Sequence, residues 1–187
     1  MEAAVKTGAL SVEDYLSGER VSELRHEYLG GTLYVMAGTS EEHNNIVLTL
    51  ASALRSHLRA KPCRVFIVAM KVRLRIGDED IFYYPDLLVA CDPRDTDRYF
   101  TRYPKMLIEV LSPDTERTDR REKFLSYTGI ETLAEYVLIA QDKMEVTVFR
   151  RANQWRPEVA SQPSEELALH SLEFALPLSA VYEGVRV

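Results

Sequence analysis

One acid inside an apolar run constrains this sequence more than any other feature. Lys105 to Leu111 is apolar apart from Glu109, and it ends at Ser112-Pro113, a helix-start pair with Ser as N-cap and Pro in the first helical position. That reads as a strand delivered directly into a helix. A second acid sits the same way: Asp86 lies within Tyr84-Pro-Asp-Leu-Leu-Val. A carboxylate flanked by strand apolars must be hydrogen-bonded, paired or bound to a cation, because burying it alone is very costly. If the two strands pair, their register can set Asp86 beside Glu109, and a divalent cation resolves the repulsion between them. Ligands that are all oxygen favour Mg²⁺ or Mn²⁺ over zinc. One mid-strand acid is as well explained by a neighbouring Arg or Lys, or by pointing outward. Two, both in central strands, put function ahead.

The rest of the chain builds a frame around this pair. Ser11 to Arg20 reads as a short helix with Ser11 as N-cap. His26 to Leu29 and Thr32 to Met36 alternate around Gly30-Gly31, a hairpin signature. Thr39-Ser40-Glu41-Glu42 reads as a capping box opening a long helix, with a stripe through Ile46, Leu50, Ala53, Leu54 and Leu58 and a stop at Pro62. Three strands follow, at Met70–Ile76, Ile81–Ala90 and Lys105–Leu111. A helix then runs to about Gly129, and two strands lie near Glu135–Ala140 and Glu145–Arg150. Beyond Trp155 the chain reads as loop-rich, with a short apolar element at its end. Consecutive strands imply antiparallel pairs and the strand-helix-strand passage implies one parallel crossover, hence an α/β mixed sheet with helices on its faces. The expectation is a single domain over 1–187, with an N-terminal helix and hairpin at about 11–37, a core at about 40–151 and an extension over 152–187.

Composition narrows the function classes. The formal net charge of −6 argues against a non-specific nucleic-acid coat protein. Between Arg55 and Arg75, however, seven Lys and Arg residues occur with no acid. A local basic strip can still bind a polyanion, since screening limits remote charges to a reach of about 10 Å; a solvated charged face explains it equally well. No apolar run approaches the roughly 18 residues of a membrane span, and no signal peptide is visible, so a cytoplasmic protein is expected. Cys63 and Cys91 lack CxxC spacing and are expected as two reduced, half-buried thiols rather than a disulfide. There is no P-loop, no G-x-G-x-x-G and no G-x-S-x-G nucleophile elbow.

Taken in order, Pro85-Asp86, Ile108-Glu109-Val110-Leu111-Ser112-Pro113, and Asp119, Lys123 and Tyr127 on the next helix resemble the Uma2 (DUF820) family, a branch of the PD-(D/E)XK nuclease superfamily. The likeness runs from Tyr15 to about Arg151. It takes in His26-Glu27-Tyr28-Leu29-Gly30-Gly31, the helix start near His43 and Glu135-Tyr136-Val137-Leu138. The resemblance implies a restriction-endonuclease-like core of helix, three strands, helix and strand. It implies an endonuclease hydrolysing DNA, with Asp86 and Glu109 as ligands of Mg²⁺ or Mn²⁺. The superfamily's lysine, two residues after the second acid, is replaced here by Leu111, and the resemblance points to Lys123 for the basic role, with Lys71 as the other candidate. An ordinary helix pair with Asp119, four residues earlier, also accounts for Lys123.

His43 is a candidate ligand or water-positioning group, or a structural histidine on the apolar stripe. Lys71, Arg73 and Arg75 alternate on one strand face, where they could meet backbone phosphates without reading sequence. Tyr127 is a further candidate DNA contact. The aromatic residues around the polar loop (Tyr83, Tyr84, Tyr99, Phe100 and Tyr103) either stack on unpaired bases or pack on the sheet edge. Two other readings compete: a non-catalytic nucleic-acid-binding or interaction module that keeps the fold, and a hydrolase of another phosphate ester. A homodimer is an analogy with nucleases of this fold.

Overall fold

The computed structural model describes residues 10–36, 38–112 and 119–186. Ser11 caps α1 (Val12–Glu19), its Oγ accepting the Asp14 N–H at 3.1 Å. β1 (His26–Leu29) and β2 (Thr32–Val35) form the expected hairpin. Its two turn residues, Gly30 and Gly31, have φ of 54° and 94°, the combination that makes glycine the natural occupant of both positions. Ser40 caps α2 (Glu41–His57), but the Oγ accepts the N–H of His43. The capping position is therefore one residue later than the sequence suggested, and Glu42 is not its partner.

Six strands come next: β3 (Arg64–Ile67), β4 (Lys71–Ile76), β5 (Glu79–Tyr83), β6 (Leu87–Ala90), β7 (Phe100–Thr101) and β8 (Pro104–Leu111). After the undescribed 113–118, which include the expected first helical residue Pro113, a π-helical turn (Asp119–Lys123) leads into α3 (Phe124–Thr128). β9 (Glu135–Ala140), β10 (Val146–Arg150), β11 (Pro157–Ala160), β12 (Glu166–Leu169), β13 (Phe174–Pro177) and α4 (Leu178–Val181) complete the chain. One sheet has the order β2-β1-β5-β4-β7 and a second the order β11-β10-β9-β8-β6-β3, while β12 and β13 pair with each other. β8 and β9 are parallel, joined by the crossover that carries α3. This is the mixed-sheet architecture expected.

The expected strand over 81–90 is in fact two strands in two different sheets. β5 pairs with β1 and β4, whereas β6 pairs with β3 and β8. The chain crosses between sheets at Pro85-Asp86, where proline has no N–H to give a ladder. Alternation along β6 and β8 then divides the interior. Leu87, Val89, Met106 and Ile108 pack with Ile46 and Leu50 of α2 on one side of the six-stranded sheet. Leu88, Leu107 and Leu111 pack on the other side with Tyr83 of β5 and Tyr127 of α3. A third cluster, Tyr15, Tyr28, Phe82 and Phe100, lies under α1 on the far face of the five-stranded sheet.

Two further expectations are corrected. Cys63 and Cys91 are joined in a disulfide rather than held as two thiols. The antiparallel β3–β6 register, Arg64 opposite Ala90, carries them to facing positions. The region beyond Trp155 is more ordered than a loop-rich tail: β11 extends the large sheet, and Leu167, Leu169, Leu178 and Val181 enter the α2-side core. Among the described residues no helix is long and apolar enough to cross a membrane.

Candidate active site

The register of β6 and β8 decides where the two acids meet. Leu87 faces Ile108 at the end of the β6–β8 ladder, and Asp86 stands one residue before β6, so that continuing the register one step sets it across from Glu109. Glu109 lies on the side of the sheet that carries Leu107 and Leu111, turned towards α3 and the five-stranded sheet, whereas Asp86, at the crossing before β6, meets the first turn of α2. Glu109 stands between β6 and β9 in the middle of the large sheet and is only 2% exposed.

Each carboxylate is held by groups that fit an ionised acid. Asp86 Oδ2 accepts the Val110 N–H at 2.7 Å. Asp86 Oδ1 lies 3.0 Å from His43 Nε2 at the first turn of α2. That imidazole nitrogen is buried, yet it is out of line for a hydrogen bond. Glu109 Oε1 accepts the Tyr127 hydroxyl at 3.1 Å and the Lys123 ammonium at 3.3 Å. Lys123 Nζ also lies 3.1 Å from Glu27 Oε1 and 5.5 Å from the centre of the Tyr83 ring. Glu27 in turn accepts the Tyr84 N–H at 3.3 Å, two residues before Asp86. Burial, and then the charge of Glu109, push the Tyr127 phenol well above its usual pKa, which keeps it a proton donor near neutrality.

Glu27, Asp86, Glu109, His43, Lys123 and Tyr127 thus converge from β1, the sheet-to-sheet crossing, β8, α2 and the helix after β8. The donor set is hard oxygen with one imidazole, the chemistry of a Mg²⁺ or Mn²⁺ site rather than a thiolate one. Among the described residues no three His, Cys, Asp or Glu groups stand close enough together to hold an ion by themselves. Asp86 and Glu109 as a pair still suit Mg²⁺, which commonly takes one or two carboxylates and keeps several waters. Of the described acids, the buried His43 nitrogen lies beside Asp86 alone.

The other sequence candidates are placed elsewhere. Lys71 does not reach the acids: β4 turns it to the opposite face of its sheet from Val72, where Nζ donates to the Tyr84 hydroxyl at 3.2 Å, and that hydroxyl donates to Glu19. Burial lowers the Lys71 pKa. Arg73 shares that far face, paired with Asp80 at 2.9 Å and stacked on Phe82 and Phe100. Arg75 is exposed beside Asp78. Neither arginine lies with the carboxylates: the three basic residues of β4 share the face of its sheet away from them. Tyr127 has no exposed surface, which closes it to a DNA contact and makes it the hydroxyl that orients Glu109. The side chain of Asp119 lies outside the described residues. Glu27 carried no assigned role in the sequence; its signal was its resemblance to a family position within the hairpin portion of the likeness.

Comparison with known proteins bears on the family and the fold. Residues 12–179 match the model of the Uma2 family, described as "putative restriction endonuclease". The chain is 32% identical over 178 residues to the uncharacterized protein slr1290 of Synechocystis sp. (strain ATCC 27184 / PCC 6803 / Kazusa), covering 94% of this chain and 93% of that one. It is 29% identical over 160 residues to sll1609 of the same organism, also uncharacterized, covering 83% and 89%. The crystal structure of a putative nuclease belonging to DUF820 from Anabaena variabilis ATCC 29413 shares the fold, with a TM-score of 0.74, 20% identity, and coverage of 93% of this chain and 98% of that one. With the family model spanning most of its length, this chain belongs to the Uma2 family.

Proposed function

We propose that this protein is a Mg²⁺- or Mn²⁺-dependent endonuclease that hydrolyses phosphodiester bonds in DNA. The observation that carries the reading is the pair Asp86, just before β6, and Glu109 on β8, with the Lys123 ammonium 3.3 Å from Glu109. Family membership supports the nuclease class. Asp86 and Glu109 hold the cation in this reading, with His43 beside Asp86. Held by these residues, a divalent ion would supply the charge that polarises the scissile phosphate and would lower the pKa of bound water towards neutrality. Lys123 stands next to the pair and neutralises negative charge growing on the phosphate in the transition state. Tyr127 and the Val110 N–H fix the two carboxylates so that little reorganisation is needed at reaction. The position of Lys123 favours it over Lys71 for the basic role.

The test is Mn²⁺ titration by calorimetry alongside plasmid nicking. Asp86→Asn and Glu109→Gln keep an oxygen acceptor for the neighbouring donors, so they separate chemistry from folding. Wild type and Lys71→Met are expected to bind Mn²⁺ and nick DNA, and the two carboxylate variants to do neither. A wild type that binds DNA tightly without nicking it at any Mn²⁺ or Mg²⁺ concentration overturns the reading in favour of a binding module.

A further inference from the structure

Lys123 is held from two sheets at once. Its ammonium lies 3.1 Å from Glu27 on β1 of the five-stranded sheet and 3.3 Å from Glu109 on β8 of the six-stranded one. Glu27 and Lys123 are each 7% exposed, so neither charge is relieved by open water. The Glu27 carboxylate is itself pinned by the Tyr84 N–H. An ammonium shared by two carboxylates gives each of them only part of its charge. Were Glu109 its one partner, Lys123 would compete directly with any other cation for that acid.

We propose that Glu27 is a positioning residue for Lys123: it takes up a share of the ammonium's charge and so leaves Glu109 able to bind a divalent cation. The charge balance supports this role. Among the described residues, Glu27, Asp86 and Glu109 with Lys123 leave two net negative charges, the number that one divalent ion cancels. Without Glu27 the same group carries one, and Lys123 loses one of its two described carboxylate partners. The inference rests on Asp86 and Glu109 being the metal pair, but it concerns a residue that does not itself hold the ion. Partners of this outer kind typically change metal affinity by about 10–100-fold when removed.

A double-mutant cycle read by Mn²⁺ affinity tests it. Calorimetric Kd values are measured for wild type, Glu27→Gln, Lys123→Gln and the double variant, with each fold checked by melting in chelator. Glu27→Gln keeps an oxygen for the Tyr84 N–H. It is expected to weaken Mn²⁺ by about tenfold or more, and Lys123→Gln to strengthen it by removing the competing cation. In the Lys123→Gln background the Glu27→Gln effect is expected to shrink to about threefold or less, because the intermediary is gone. If Lys123→Gln does not fold, Lys123→Met replaces it in the cycle. Additive effects overturn the proposal and make Glu27 a direct ligand; an unchanged Kd in Glu27→Gln overturns it as well. A wild type that binds no Mn²⁺ overturns the metal reading itself, which is distinguishable from either result.

Discussion

Replacing Tyr127 with phenylalanine removes one oxygen from the most enclosed part of the site. The ring contacts are preserved, since Tyr127 packs edge-on against Tyr83 and Tyr136 with ring centres 5.5 and 5.3 Å apart. What is lost is the hydroxyl donated to Glu109 Oε1 at 3.1 Å in a position with no exposed surface. A hydrogen bond to a charged acceptor contributes about 1.5–3 kcal/mol. Lys123 still faces the same oxygen, so the lower half of that range applies, roughly 2 kcal/mol. For a chain of this size each kcal/mol moves the melting temperature by about 2–4 °C, which gives a fall of about 4–8 °C. Urea melts at neutral pH in chelator should show the loss as a lower midpoint at unchanged slope. With Glu109 less firmly oriented, Mn²⁺ affinity should fall as well, by about tenfold. A Tyr127→Phe protein within about 0.5 kcal/mol of wild type would refute the claim that this hydroxyl supports a charged Glu109.

Two further outcomes follow from buried polar groups away from the acids. Glu135 accepts the Arg150 guanidinium at 3.0 Å, the N–H groups of His170 and Ser171 at 2.9 and 3.0 Å, and the Ser171 hydroxyl; Glu135→Ala should cost about 3–5 kcal/mol by urea melting, because Arg150 is left buried without that partner. Glu135→Ala combined with Arg150→Met should cost less than Glu135→Ala alone, and a double variant that is worse would refute the account. Burial pushes the Tyr182 phenol up to about 12, and the phenols of Tyr15, Tyr84 and Tyr127 are raised too. A phenol raised on folding contributes stability that is whole below its unfolded value near 10 and is lost as pH rises through its folded value. Stability should therefore decline from pH 10 upward, with a shallower decline in Tyr182→Phe; a flat alkaline profile would contradict the burial argument.

Much of the fold was legible because burial leaves a periodic trace. The hairpin at Gly30-Gly31, the α2 stripe and the run into Ser112 each carry their own local signal. The split of 81–90 was not legible. Both halves are apolar, and a proline marks a break without saying that the chain changes sheets there. The acids stood out by chemistry, but their meeting depended on a register that only the paired strands supply. Lys123 has a local explanation in Asp119 and gained its role from the family likeness. Lys71, Arg73 and Arg75 show the limit most clearly. Alternation put them on one face, yet both faces of their sheet are covered, one by α3 and one by α1, and periodicity cannot tell those apart. Tyr127 and Glu27 were obscured for a related reason: a hydroxyl or carboxylate on a buried face reads as an ordinary element residue until its partner across the interior is known.

The crossing at Pro85-Asp86 also bears on what survives if chemistry is lost. Where the chain leaves one ladder before joining the next, backbone groups need other partners. The Tyr84 N–H takes the Glu27 carboxylate, proline has no N–H to satisfy, and the Val110 N–H takes the Asp86 carboxylate. Two acids of the site therefore also close the ends of two sheets. Selection for folding alone would retain them in a relative whether or not it cuts anything. Lys123 closes neither of these backbone groups: it lies between Glu27 and Glu109, so its presence in a relative reports on the charge of the site rather than on the sheet ends.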